Sequence, residues 1–145
     1  MKGVVQRVTE ATVVVRGEPV AAIRNGLLVF LGVEKGDDEK SCERTAHKIA
    51  GLRVFEDKNG KMNRSVSDIG GEILMVSQFT VAGSIEKGRR PSFYNAMAPE
   101  AAHSLFEKVV ALVRESGIPV QTGVFQAHMD VSLVNDGPAT FILEK

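Results

Sequence analysis

The chain has a single cysteine, Cys42, so no disulfide can form within it. That fits a reducing compartment such as the cytoplasm. Charge of one sign is not in excess either: 18 Lys and Arg balance 18 Asp and Glu. A wide, non-specific nucleic-acid surface needs a surplus of cations, and no DNA partner is expected. No apolar run approaches membrane-spanning length, and MKGVVQRV lacks the apolar stretch of a secretory leader. Linkers, repeats and low-complexity blocks are absent. One domain over residues 1–145 is the expectation, and 145 residues suffice for a real core.

Chemistry-bearing patterns are also scarce. His47, His103 and His128 are far apart and form no HxxxH or Cys/His pairing, so no metal site and no cofactor are assigned. There is no GxSxG elbow and no Walker-type loop. Cys42 falls on an apolar helical stripe and reads as a packing residue.

What is present is a clear alternation of elements. Strands are expected at Lys2–Val8, Ala11–Arg16 and Pro19–Ile23, with a tight turn at Gly17-Glu18. Asn25-Gly26 turns the chain into Leu27–Val33, an almost unbroken apolar run. Such a run is a strand buried on both faces or one at an interface. Asp37 or Asp38 can cap a helix reaching Leu52, with Cys42, Ala46, Ile49 and Ala50 on one stripe. EDKNGKMNRS reads as a loop, and Gly70-Gly71 as a turn before a strand over Glu72–Phe79. Pro99 is placed to start a second helix, and Gly117 and Pro119 end it. Leu105, Phe106, Val109, Val110, Leu112 and Val113 make its buried face. Strand pieces follow at Val120-Gln121, Ala127–Val134 and Ala139–Leu143. The fold class is α+β: a mostly antiparallel, barrel-like sheet with two main helices.

Three polar stretches interrupt this pattern. Ser77-Gln78-Phe79-Thr80 stands where a buried strand emerges. Asn135-Asp136-Gly137-Pro138-Ala139-Thr140 lies between two strand-like runs. Taken alone, the first is a strand end and the second a turn. Gly137 allows close backbone approach, and Pro138 can take a cis peptide. The third, Glu86–Phe93, carries Lys87, Arg89 and Arg90. With Lys58, Lys61 and Arg64 it offers a local positive surface.

Together SQFT, GRRPSF and VSLVNDGPAT resemble the D-aminoacyl-tRNA deacylase family of the DTD type. MKGVVQRV, LLVFLGVEKGD, LRVFED and QTG extend the resemblance over essentially the whole chain. It implies a homodimer that hydrolyses the ester between a D-amino acid and tRNA, for chiral proofreading in translation. It also implies action on glycyl-tRNA, including glycine mischarged on tRNA-Ala. In the family a Gly-cisPro motif enters the partner's active site. Carried over, Gly137 and Pro138 with Asn135 and Thr140 bind substrate and reject L-residues. Arg7 braces them, and Ser77, Gln78, Phe79 and Thr80 form the catalytic group. Lys87, Arg89 and Arg90 are candidates for tRNA contact. Thr80 is the obvious nucleophile, yet no histidine lies beside either motif in sequence. Water is therefore the favoured attacking group, with main-chain N–H groups as the oxyanion hole. A general Thr80 esterase, or an RNA-binding module without catalysis, are the alternatives.

Overall fold

The computed structural model describes residues 1–144. Eight strands and two helices run in the order β1 (Lys2–Val15), β2 (Glu18–Ile23), β3 (Gly26–Gly32), α1 (Glu39–Gly51), β4 (Phe55–Glu56), β5 (Met62–Arg64), β6 (Glu72–Ser77), α2 (Pro99–Glu115), β7 (Val120–Thr122) and β8 (Asp130–Leu143). A short 3-10 turn, Phe79–Ala82, follows β6.

The main sheet runs β2-β1-β3-β6-β7, and β8 pairs with the other edge of β1. β1 meets β2, β3 and β8 antiparallel. The β3–β6 and β6–β7 pairs are parallel. Parallel neighbours need a crossover, and α1 and α2 supply one each. The sheet is therefore mixed and nearly closed as a barrel. At the seam, Gln121 of β7 does what a strand ladder would. Its amide accepts from Ala22 N (2.9 Å) and donates to Ala22 O (2.6 Å) on β2.

Two cores result, and β3 serves both. Leu27, Val29 and Leu31 face the helices, together with Ile73, Met75, Cys42, Ile49, Phe106 and Val110. Leu28 faces the barrel interior with Val8, Val13, Ile23, Leu74 and Val76. This explains the unbroken apolar run: it is core within the chain on both faces. Cys42 is fully buried and its thiol donates to Leu105 O. Burial pushes the thiol upward, and the carboxylates of Asp37 and Glu39 add to the shift.

The helices start as their sequences dictate. Asp38 accepts from Ser41 N (2.9 Å) while Ser41 Oγ accepts from Asp38 N (3.2 Å), a reciprocal cap. Asp37 does something else. Its carboxylate takes the buried Met1 ammonium at 2.7 Å and accepts from Glu34 N. Pro99 occupies the first turn of α2. Ala102, Phe106, Val109, Val110 and Val113 are buried, whereas Leu105 and Leu112 are half-buried.

Four local expectations are corrected. Lys2–Val8 and Ala11–Arg16 are one strand, with register shifts near Val8 that let it bend. The hairpin turn is Arg16-Gly17, both at positive φ (51° and 77°), because a two-residue loop needs left-handed backbone twice. The EDKNGKMNRS stretch, with Phe55 before it, forms the β4–β5 hairpin. β6 stops at Ser77, and Phe79 belongs to the 3-10 turn. No helix among the described residues is long and apolar enough to cross a membrane.

Candidate active site

β8 is not two strands joined by a turn. It runs antiparallel to β1 along nearly its whole length. Val8 pairs with Asn135 and Gln6 pairs with Thr140. One residue of β1, Arg7, therefore lies opposite four of β8, Asp136 to Ala139. The extra backbone leaves the ladder as a wide bulge.

Polar side chains around the bulge shape it. The Asn135 carboxamide accepts from Ala139 N (2.8 Å) and donates to Thr140 Oγ1 (2.8 Å). Gln6 Nε2 donates to the same hydroxyl at 3.2 Å. Beneath lies Arg7, a charged residue buried in a strand. Its Nε donates to Asp136 O (3.0 Å) and its Nη1 to Val54 O (2.7 Å). The Asp136 carboxylate stands 3.4 Å from Nε. These bonds compensate the cost of burying a guanidinium. Gly137 has φ +130°, and a Cβ there would meet Arg7 Nη2 at 2.8 Å. No other residue fits this backbone. The Gly137-Pro138 peptide is cis, and both residues are exposed.

Ser77, Gln78 and Phe79 form one wall of a cavity of about 760 Å³. Its other walls are Phe93, Ala96–Pro99 and Ala102 at the start of α2, and Phe125–Met129 before β8. Gln78 N donates to Leu31 O, which fixes the strand exit. Gln78 Nε2 donates to Thr80 Oγ1. Phe79 and Thr80 open the 3-10 turn, so their N–H groups have no carbonyl within it to bond. Phe79 is 59% exposed and its ring tilts against Phe93 at 5.0 Å. Thr80 is exposed beside the cavity.

Within the chain the two motifs stay apart. Ser77 pairs with Leu31, Leu31 with Gly3, and Gly3 with Leu143. Three strand spacings and five residues of β8 then separate Ser77 from Pro138, roughly 20 Å at ordinary sheet dimensions. Lys87, Arg89 and Arg90 lie on an exposed loop closed by the Ser84–Ser92 bridge, near the cavity lip. Lys58, Lys61 and Arg64 belong to the β4–β5 hairpin, which begins just after Val54, the residue that holds Arg7.

Sequence reasoning missed the far walls of the cavity. Pro99 read only as a helix start, and Ala127–Met129 as part of a strand that in fact begins at Asp130. One signal is local. Gln126 adopts φ +61°, unusual for a non-glycine residue, in a turn where Ala127 N donates to Val124 O. The fold also brings His128 to the cavity, although it is far from SQFT in sequence. Its side chain is almost fully exposed, 3.6 Å from Asp130 Oδ1. His103 stacks on Phe125 at 4.2 Å, behind the wall.

With the site's geometry in hand, its relatives can be placed. The model of the D-Tyr-tRNA(Tyr) deacylase family matches residues 4–144. A D-aminoacyl-tRNA deacylase of Geobacter metallireducens is 60% identical over 99% of this chain and 95% of its own. The solved structure of a c-Myc DNA unwinding element binding protein is 44% identical, with a TM-score of 0.95 over 100% of this chain and 99% of that one. A probable eukaryotic D-amino acid tRNA deacylase shares the fold at 16% identity, with a TM-score of 0.80 over 98% of this chain and 97% of that one. The chain belongs to the D-Tyr-tRNA(Tyr) deacylase family.

Proposed function

We propose that this chain hydrolyses the ester between a D-amino acid and the terminal ribose of tRNA, and that the Gly137-Pro138 bulge of one protomer completes the cavity of its partner. The deacylase class follows from family membership over the full length. The cross-subunit reading rests on one observation. A bulge and a cavity are each built with care, yet Ser77 and Pro138 are separated along the sheet by three strand pairings and five residues of β8.

The cavity has the size for an amino acid esterified to a nucleoside. Carbonyls of the bulge would hold the substrate's ammonium group. With ester and ammonium fixed, the side chain on Cα points one way for D and the opposite way for L. An L side chain would strike the bulge backbone, which Arg7 and Asn135 keep from yielding. Glycine offers nothing to exclude, so glycyl-tRNA is cleaved too, glycine mischarged on tRNA-Ala included.

Water attacks the ester carbonyl, the carbonyl oxygen takes the negative charge, and the ribose oxygen leaves with a proton. The N–H groups of Phe79 and Thr80 are suited to that oxyanion. The Thr80 hydroxyl accepts from the Gln78 amide and has no basic group on it. That favours a positioning role over a nucleophilic one. The 2′-hydroxyl of the terminal ribose can assist as a proton carrier. Lys87, Arg89 and Arg90 would meet RNA phosphates. This chemistry belongs in the cytoplasm, where charged tRNA is used.

The test is one tRNA charged with D-tyrosine or with L-tyrosine. Rapid release from the D form with the L form spared is expected. Equal release from both would end the stereochemical account. No release from either would leave a module that binds the acceptor end without cleaving it. Sedimentation of a fully active sample as a monomer would remove the cross-subunit arrangement.

A further inference from the structure

Large apolar side chains stand in water around the cavity lip. Phe79 and Phe93 pack on each other, but Tyr94, 77% exposed, packs differently. One face of its ring is covered by Lys35, whose Nζ lies 4.0 Å from the centroid. The remaining ring surface is open to solvent. The main-chain segments of the two residues are tied together: Lys35 N donates to Asn95 O (2.8 Å), Glu34 bridges Ala96, and Met97 N donates to Val33 O (3.0 Å). Ala96 and Met97 line the cavity, so the braced ring sits at its rim. On the other side of Phe93, paired bonds between Ser84 and Ser92 (2.8 and 2.9 Å) close the loop with Lys87, Arg89 and Arg90. That loop carries one carboxylate, Glu86, in a chain that is neutral as a whole.

An exposed aromatic face held rigid beside a run of cations is the arrangement that binds single-stranded nucleic acid. The ring stacks a base and the cations follow the phosphates. A protein partner would be served by a larger, uncharged patch, and Tyr94 stands among cations. We propose that Tyr94, braced by Lys35, is a stacking platform for an unpaired base of the single-stranded 3′ end of tRNA. The base is one preceding the terminal nucleoside in the cavity, and the 87–90 loop takes the adjoining phosphates. The identity of the RNA rests on the deacylase reading; the stacking contact is measured independently of it.

The chain offers its own reporter. It has one tyrosine and no tryptophan, so its near-ultraviolet emission comes from Tyr94. The protein is titrated with uncharged tRNA, and with the same tRNA trimmed of its single-stranded 3′ nucleotides. N-acetyl-tyrosinamide at equal RNA concentration corrects for absorption. Saturable quenching by intact tRNA and none by trimmed tRNA is expected. Unchanged emission, or equal quenching by both, overturns the platform. Emission that changes on dilution of the protein alone assigns the ring to a contact between copies and also overturns it. In turnover, Tyr94→Ala should raise KM for D-tyrosyl-tRNA about tenfold at unchanged kcat, and Tyr94→Phe should restore it. On D-tyrosyl-adenosine, which has no preceding nucleotides, Tyr94→Ala should match the wild type. An equal loss on both substrates would mean a damaged cavity and would refute the platform. Quenching without any cleavage would uphold the platform while the deacylase reading failed.

Discussion

The bulge at Asp136–Ala139 and the lip at Ser77–Thr80 both interrupt buried strands with polar residues, yet they are held in opposite ways. The bulge is bonded to its own surroundings. Asn135, Thr140, Gln6 and Arg7 bond it or one another from below and from both flanks. The lip has one strong anchor, Gln78 N on Leu31 O, and beyond it Phe79 and Thr80 are exposed with N–H groups to spare. A backbone tied down at Asp136 O and Ala139 N resists displacement and suits exclusion. A backbone with free donors suits the charge that develops in a reaction. On the proposed reading, selection and chemistry fall to different strands.

The strongest way to break this division is Gly137→Ala. The added Cβ meets Arg7 Nη2 at 2.8 Å on a backbone with φ +130°. Bulge or guanidinium must shift, and displacement on that scale should cost about a hundredfold in kcat/KM. Turnover of D-tyrosyl-tRNA by protein with unaltered circular dichroism measures it. A loss under threefold would show that the bulge tolerates movement.

Arg7→Met should follow in size. It keeps the apolar stem but drops the donors to Asp136 O and Val54 O. We expect a stability loss of about 3 kcal/mol by urea unfolding. The ratio of D to L release should fall with it. Intact selectivity in a destabilised protein would make Arg7 structural alone.

Thr80→Ala sharpens the other side. If the hydroxyl positions substrate, kcat falls about fivefold, the worth of one neutral hydrogen bond. A fall beyond about a thousandfold with unchanged substrate affinity would make Thr80 the nucleophile.

The smallest effect lies outside both regions and serves as their control. Bonds from Ser41 N and Ser41 Oγ hold the Asp38 carboxyl below its usual range. A group lowered on folding stabilises fully above its unfolded value, about 3.9, and that contribution is lost as pH falls through the folded value. Asp38→Asn can still cap α1 but does not titrate there. Its melting temperature should match the wild type at pH 7 and decline less steeply below pH 4. Asp57 and Asp68, lowered in the same manner by backbone N–H groups, retain their share of the acid limb. Deacylation at pH 7 should be unchanged.

Local elements were legible wherever a short-range rule decided them. An aspartate at 37 or 38, Pro99 ahead of an apolar stripe, and Gly117 after it each mark a helix end, and the structure selects Asp38 through its reciprocal bonds with Ser41. The run at Leu27–Val33 was legible as a strand buried on both faces or at an interface, and the two cores of the chain decide for the first. The bulge was not legible. NDGP between two strand-like runs is the composition of a turn. Only the opposing strand, with Arg7 facing four residues, shows that β8 continues. Likewise His128 and Phe125 reach the cavity through the placement of β7 and α2, which no local spacing encodes.

The sequence by itself determined the helices, the apolar faces, the charge balance and, by resemblance over its length, the family. These depend on residue type and period, which are read one neighbour at a time. Tertiary structure decided which polar residues come together at the bulge and at the cavity. It set the register of β8 on β1, placed Arg7 under Gly137, and put three strand pairings and five residues of β8 between Ser77 and Pro138. Strand register and barrel closure are agreements between distant segments, so their energy belongs to no single stretch of the chain.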